Sequence, residues 1–431
     1  MIGGTGFRRI AQIGASLGAS RGRLMTAAAL PDEGSPGFRC LDTYGYVTVG
    51  YGYCKSPSYQ ETPLTEAADS TDFVQLLDQA GRRVEHPTFA YAGTDTDIAA
   101  SLRDMVLARR IDTEATALQR KGELGLWPPL LGQEAAQIGS ARATREPDLI
   151  IPSYREHGVA WCWGIDPVDL LGTFRGTAMV DWPSRPDGFH LYSFVIGTQT
   201  LHAVGMAMAL QRDGLVGNDD PSANGAAVVY FGDGATSQGD VNEAFIFAAS
   251  YAAPVVFFCQ NNQYAISEPI ALQSRIPLYR RAAGFGFPGV HVDGNDVLAV
   301  QAVTEWAIEH ARSGKGPVLI EAYTYRMGAH TTSDDPTKYR RAEEEEQWRA
   351  KDPIERVKTY LLGTGAIDQA WLDALAAESE QLAERLRAGC VALPEPVLSE
   401  QWQHAYAEMP DLLVRQRAEY LAYEASFEVA K

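Results

Sequence analysis

Asp233 stands between two glycines at the end of an apolar run, within the stretch VVYFGDGATSQGDVNEAFIFAASYAAPVVFFCQNNQYAIS of residues 228–267. Gly232 and Gly234 let the chain turn tightly and leave backbone N–H groups uncovered, while the carboxylate between them can hold a cation. A helix opening near Asp240 would add the positive end of its dipole, which favours an anion at the same place. Asn261 and Asn262 close the next apolar run. They supply amide oxygens of the kind a hard cation such as magnesium takes, usually with phosphate oxygens completing its shell. A Gly-Asp-Gly taken alone reads as a tight turn. Here residues 235–260 have the length of one helix and one strand, which returns Asn-Asn beside Asp233 on a parallel sheet. A metal-bound diphosphate is the chemistry this arrangement suits. No P-loop and no G-x-G-x-x-G opens at a strand end, which counts against a mononucleotide or NAD site.

Two further segments carry reactive side chains. In EAYTYRMGAHTTSDDPTKYRR (321–341) an apolar run ends in a polar loop with His330 beside Thr331. A histidine in such a loop is commonly a solvated surface residue. This one follows a strand of the same sheet as Asp233 and can reach the same cleft, where an imidazole exchanges protons near physiological pH. In IIPSYREHGVAWCWGIDP (150–167) Tyr154 and Arg155 follow a short apolar run. A guanidinium there could bind phosphate bidentately or form a surface salt bridge with Glu156.

These residues need a scaffold that brings several strand ends together. Short apolar runs at 226–231, 254–259 and 317–325 alternate with helical patterns at 239–252 and 295–313, the second capped by Asn295 or Asp296. That alternation predicts an α/β fold with a parallel sheet flanked by helices on both faces. Ile98, Leu102, Val106, Ile111, Ala115 and Leu118 recur at helical spacing between Asp97 and Leu124, so an amphipathic helix precedes the sheet. Helix is also expected beyond Pro336, from Trp348, Ile354, Val357 and Leu361. The resulting division is a disordered or extended segment 1–72, an α/β domain 73–340 and a helical C-terminal region 341–431.

Composition narrows the function. Of 431 residues, 37 are Lys or Arg and 55 Asp or Glu, and the net charge of −18 disfavours nucleic acid as a partner. No apolar run approaches the roughly 18 residues of a membrane-spanning helix. The five cysteines, Cys40, Cys54, Cys162, Cys259 and Cys390, are scattered without C-x-x-C spacing and read as reduced thiols of an intracellular protein. The first 31 residues lack acids and carry Arg8, Arg9, Arg21 and Arg23. They read either as a mitochondrial transit peptide, with a matrix location, or as a stretch ahead of a later start in a cytoplasmic bacterial protein.

From about residue 73 to 427, including the phrase EMPDLLVRQRAEYL, the chain resembles the alpha subunits of branched-chain 2-oxo acid dehydrogenases. The Gly-Asp-Gly to Asn-Asn arrangement is similar to the diphosphate motif of thiamine-diphosphate enzymes. The resemblance implies that Asp233, the side chain of Asn262 and the backbone carbonyl of Tyr264 hold magnesium. It implies cofactor contacts at Ser153, Tyr154, Arg155, Ile196, Asp233, Gly234, Ala235, Asn262, Tyr264 and His330, with His330 catalytic. It also implies a potassium site at Ser193, Thr198 and Gln199, and phosphorylation at Thr331. Departures are Ala329 for a histidine, Gln260 for a basic residue and Ser153 for a glutamine.

By the same resemblance the substrate is a branched 2-oxo acid such as 3-methyl-2-oxobutanoate, decarboxylated oxidatively with acyl transfer to a lipoyl-bearing acyltransferase. The thiamine ring needs a glutamate against its pyrimidine, for which this chain offers no candidate. A beta subunit in an alpha2-beta2 tetramer would supply it, and the small residues Ala203, Gly205, Ala207 and Ala209 suit a subunit interface or a tight core. Alpha subunits of pyruvate and acetoin dehydrogenases share the motifs. A non-catalytic fold relative would not need Asp233, Asn262, Arg155 and His330 together, and a transketolase-like single chain would need a pyrimidine domain for which there is no room.

Overall fold

Six parallel strands form the sheet of the computed structural model, which describes residues 73–178, 182–395, 402 and 406–428. The expected extended segment 1–72 lies outside the described residues. The strands are β1 (Phe73–Val74), β2 (Leu149–Ile151), β3 (Ala227–Gly232), β4 (Val255–Asn261), β7 (Gly289–Asp293) and β8 (Val318–Tyr323), and a small antiparallel pair is formed by β5 (Tyr264–Ala265) and β6 (Glu268–Pro269). Their order across the sheet is β1-β7-β8-β4-β3-β2. The chain enters through α1 (Asp95–Arg120) and α2 (Glu134–Arg142), and after β2 come α3 (His157–Cys162), α4 (Pro167–Arg175) and α5 (Thr198–Arg212). Helix α6 (Gly239–Tyr251) joins β3 to β4, and the short α7 (Ile270–Gln273) and α8 (Arg281–Phe285) precede β7. Helix α9 (Val297–Arg312) returns to β8, followed by α10 (Ala342–Arg349), α11 (Pro353–Thr364), α12 (Gln369–Ala392) and α13 (Asp411–Glu428).

Alternate residues of the central strands face different helical layers, as a sheet covered on both faces requires. Val228, Tyr230, Val256, Phe258, Val318 and Ile320 pack into a core shared with α1, α2, α9, α11 and α12. Val229, Phe231, Val255, Phe257, Cys259 and Leu319 pack against α5, α6 and α8. Removing such a side chain from water contributes roughly 1.5–3 kcal/mol each, so β4, buried along its whole length, rigidly anchors the end that carries Asn262. Two of the helices beyond residue 341 are built into the core. Ile354, Val357 and Leu361 of α11 and Leu382 and Leu386 of α12 lie in the same core as α1.

Caps fix where the helices begin. Thr94 and Asp97 form a reciprocal capping box at α1. At α9 the cap is Asp296, whose Oδ1 accepts from Leu298 N and Ala299 N while its Oδ2 accepts from Leu76 N and Leu77 N, both at 2.6 Å. Asn295 instead donates to Lys351 O. Among the described residues Cys162, Cys259 and Cys390 are free thiols, and no helix is long and apolar enough to cross a membrane.

Candidate active site

The C-terminal ends of β2, β3, β4 and β8 meet on one edge of the sheet, where ligands bind in open α/β folds. A cavity of about 420 Å³ opens there. Its wall includes Ser153, Tyr154, Arg155, Ile196, Asp233, Gly234, Ala235, Asn262, Tyr264 and His330, so the ten residues expected to contact a cofactor lie around one space. Gln199 joins them, whereas Ser193 and Thr198 stay outside that wall, in the loop leading into α5 and at its first residue.

Asp233 leaves β3 and opens a short 3-10 turn, Asp233–Ser237, and α6 begins at Gly239, within a residue of the expected start near Asp240. Burial pushes the Asp233 carboxyl up to about 6, opposed by Gln273 Nε2 donating at 2.9 Å. The two glycines serve different ends. A Cβ on Gly234 would lie 2.6 Å from the Ala265 Cβ, so glycine lets the β5 loop approach, whereas a Cβ on Gly232 would meet nothing within 4 Å.

Asn262 lies across from Asp233. With its Nδ2 donating to Gln133 Oε1 at 3.0 Å, its Oδ1 lies 3.1 Å from Tyr264 O and 3.2 Å from Asp233 Oδ1. Three oxygens converging at these distances come within a few tenths of an ångström of the roughly 2.8–3.0 Å edges of an oxygen octahedron with bonds of about 2.0–2.1 Å. The opposite amide orientation would make the same atom a donor to both neighbours, which is how the group is satisfied without a cation. Asn261 points elsewhere. Successive residues of a strand alternate sides, and its Nδ2 donates to the buried Glu321 at 2.6 Å.

The loop carrying the Tyr264 carbonyl is held in an unusual backbone. Gln263 and Ile266 have φ of 77° and 58°, a region costly for a β-branched residue. Arg326 keeps it there, donating from Nη1 to Tyr264 O at 2.9 Å and from Nη2 to Ile266 O at 2.8 Å. This guanidinium is 1% exposed and lines the cavity; among the described residues no carboxylate forms a direct ion pair with it, though its charge favours the ionised forms of Asp233 and Asp334. Burial, followed by repulsion from Arg155, lowers its pKa to about 10.

Arg155 is buried as well, so a surface pair with Glu156 is not what forms. Its Nη1 donates to Pro129 O at 2.6 Å, and its Nη2 lies 3.0 Å from His330 O and 3.2 Å from His330 Nδ1. A guanidinium can only donate, so Nδ1 is the acceptor and the His330 proton sits on Nε2. Burial, then Arg155 and Arg326, holds the His330 pKa down to about 3, and the ring is therefore neutral at physiological pH rather than titrating there. Asp334 accepts the His330 N–H at 2.8 Å and the Tyr339 hydroxyl, which ties the loop down. Thr331, beside His330, is half-buried, and its hydroxyl accepts from Ser333 N at 3.3 Å.

Sequence reasoning missed Arg326, Gln133 and Glu156, all lining the cavity. The signal for Arg326 was a lone cation just past the end of β8, on the edge that carries the other site residues.

Residues 102–386 match the model of the family described as dehydrogenase E1 component. The chain belongs to that family. E1 components are thiamine-diphosphate-dependent 2-oxo acid dehydrogenases, oxidoreductases that work in multienzyme complexes with a beta subunit. The 3-methyl-2-oxobutanoate dehydrogenase subunit alpha of Mycobacterium tuberculosis (strain ATCC 25618 / H37Rv) is 45% identical over 319 residues, 74% of this chain and 85% of that protein. The pyruvate dehydrogenase E1 component subunit alpha of Staphylococcus aureus (strain Mu50 / ATCC 700699) is 37% identical over 310 residues, 70% of this chain and 80% of that protein. This E1 chain thus carries a cleft with two buried carboxylates, Asp233 and Glu156, two buried guanidiniums and a neutral histidine.

Proposed function

We propose that this chain is the alpha subunit of a branched-chain 2-oxo acid dehydrogenase, binding thiamine diphosphate through magnesium and oxidising acids such as 3-methyl-2-oxobutanoate. The observation that carries the cofactor reading is the facing of the Asp233–Asn262–Tyr264 oxygen cluster by two guanidiniums in one cavity. A diphosphate could take up the charge of Arg155 and Arg326, neither of which forms a direct ion pair with a carboxylate among the described residues, and a hard cation suits the three oxygens. Asp233, Asn262 and the Tyr264 carbonyl would hold the magnesium, and Ser153, Tyr154, Ile196, Gly234 and Ala235 would line the rest of the cofactor. When bound, thiamine diphosphate supplies the carbon nucleophile and electron sink for loss of carbon dioxide. His330 donates a hydrogen bond from Nε2 into the site, with Arg155 fixing its tautomer, and so stabilises charge as the acyl group passes to a lipoyl arm.

The cavity mouth supports a two-chain site. Ile196 and Ile266 line it yet remain 38% and 53% exposed, and Val195 beside them is 68% exposed. A beta subunit covering this rim would complete the site in an alpha2-beta2 tetramer that serves a lipoyl-bearing acyltransferase. Of the four small residues of α5, Ala203 and Ala207 pack inward while Gly205 and Ala209 are exposed, leaving a flat stripe for close helix approach. Gln199 Oε1 is buried without a hydrogen-bond partner among the described residues while its Nε2 donates to Tyr230 O, which supports a potassium ion held with Ser193 and Thr198. Thr331 is the hydroxyl we assign to phosphorylation, and the bacterial origin of the relatives favours a cytoplasmic location.

The higher identity to the 3-methyl-2-oxobutanoate enzyme, 45% against 37% for the pyruvate enzyme, supports the branched substrate. Coexpression with its beta chain and assay on both acids tests it. A kcat/KM about tenfold or more higher for 3-methyl-2-oxobutanoate is expected; a preference for pyruvate would overturn the substrate assignment.

A further inference from the structure

Beneath the Tyr154–Arg155 turn lies a buried acid, Glu156, 2% exposed. Burying a carboxylate costs several kcal/mol unless its oxygens are engaged, and a neutral side chain would pack as well. Its engagements are specific. Oε1 accepts from Gln260 Nε2 at 2.7 Å and Oε2 from the Arg155 backbone N–H at 3.2 Å. Gln137 of α2 completes the arrangement, donating from Nε2 to Arg155 O at 2.9 Å and to Gln260 Oε1 at 3.1 Å while accepting from Gly158 N at 2.8 Å. These side chains therefore converge on the backbone of a single residue, Arg155. A carboxylate grips the Arg155 N–H and an amide grips its C=O.

The consequence lies in what Glu156 does not do. Adjacent and of opposite charge, it forms no ion pair with the Arg155 guanidinium, because Gln260 and the backbone occupy it. That leaves the Arg155 fork to Pro129 O and to His330. We propose that Gln137, Gln260 and Glu156 form a positioning relay that sets the Arg155 fork, and through it the orientation and tautomer of His330, for the acyl-transfer half of the reaction. None of the three needs to touch a reacting atom. The relay rests on the 2-oxo acid dehydrogenase reading above.

The test uses the alpha-beta complex saturated with thiamine diphosphate and magnesium. Glu156→Gln keeps the shape and removes the charge; Gln260→Met keeps the length and removes the donor. Both should lower kcat of the overall reaction about fivefold or more, with KM for the oxo acid within about threefold of wild type and a melting temperature within about 2 °C. Decarboxylation with an artificial electron acceptor should fall less than the overall reaction, and the double variant should be no worse than the poorer single one, as expected of groups acting as a unit. Either variant keeping kcat within that fivefold margin, or a loss that tracks a lowered melting temperature, overturns the relay. A wild-type complex that turns over no 2-oxo acid refutes the functional reading instead, while active wild type with unaffected variants refutes the relay alone.

Discussion

Arg326→Met should weaken cofactor binding strongly while leaving the protein folded. The methionine keeps the apolar stem and removes the charge. The arginine pKa, lowered from 12.5 to about 10, says that this charge is disfavoured by its surroundings by roughly 3 kcal/mol at about 1.4 kcal/mol per unit. Losing it relieves that penalty. Against the relief stand two carbonyls, Tyr264 O and Ile266 O, deprived of donors at roughly 1–3 kcal/mol each where water cannot reach them. The two effects largely offset, so the melting temperature without cofactor should move by a few degrees at most. Binding has no such offset. A charge-assisted bond to a diphosphate contributes about 2–3 kcal/mol, so the Kd of magnesium thiamine diphosphate should rise roughly 30- to 150-fold. Titration calorimetry on the alpha-beta complex measures this directly. A Kd within threefold of wild type would show that Arg326 only braces the loop and does not face the phosphates.

Gly234→Ala places a methyl 2.6 Å from the Ala265 Cβ, so the β5 loop must shift; a loss of about 1–3 kcal/mol in cofactor affinity is expected by calorimetry, with the fold intact. His157 is fully buried and its pKa lowered to about 3 by desolvation, so only the unfolded chain takes up its proton below about pH 6.5. Stability should therefore fall as pH drops, with His157 accounting for about 2 kcal/mol by pH 5, and chemical denaturation of His157→Gln should show a shallower pH slope. His330→Ala should depress overall activity more than decarboxylation with an artificial acceptor, and Thr331→Glu should do the same by setting an anion beside the phosphate site. Full overall activity in His330→Ala would leave that loop without a catalytic part.

The elements that carry the metal and diphosphate groups were legible because their signals are local. The runs at 226–231 and 254–259 became β3 and β4, the helix between them was placed to within a residue, and that spacing is what returns Asn262 to Asp233. His330 and Arg155 were found as polar residues just beyond strand ends. What stayed hidden depends on contacts across long stretches of chain. Arg326 reads as an ordinary solvated cation until the 262–266 loop folds over it, and Gln133 becomes informative only opposite Asn262, 129 residues away. The charge state of His330 was likewise out of reach, since it is set by burial and by two guanidiniums, Arg155 from a distant segment and Arg326 from its own, that only folding brings around the ring. The positive φ of Ile266 has no sequence signal at all; a β-branched residue argues against it.

Asp233 is the carboxylate of the three-oxygen cluster. Magnesium thiamine diphosphate should bind the wild-type alpha-beta complex saturably and only with the metal present, and Asp233→Asn, which keeps the shape and removes the charge, should weaken that binding about 100-fold or more with no change in folding. Calorimetric titration of both complexes, with and without magnesium, decides it. Equal affinity in the two, or binding indifferent to magnesium, would contradict the assignment of this cleft to a metal-bound diphosphate.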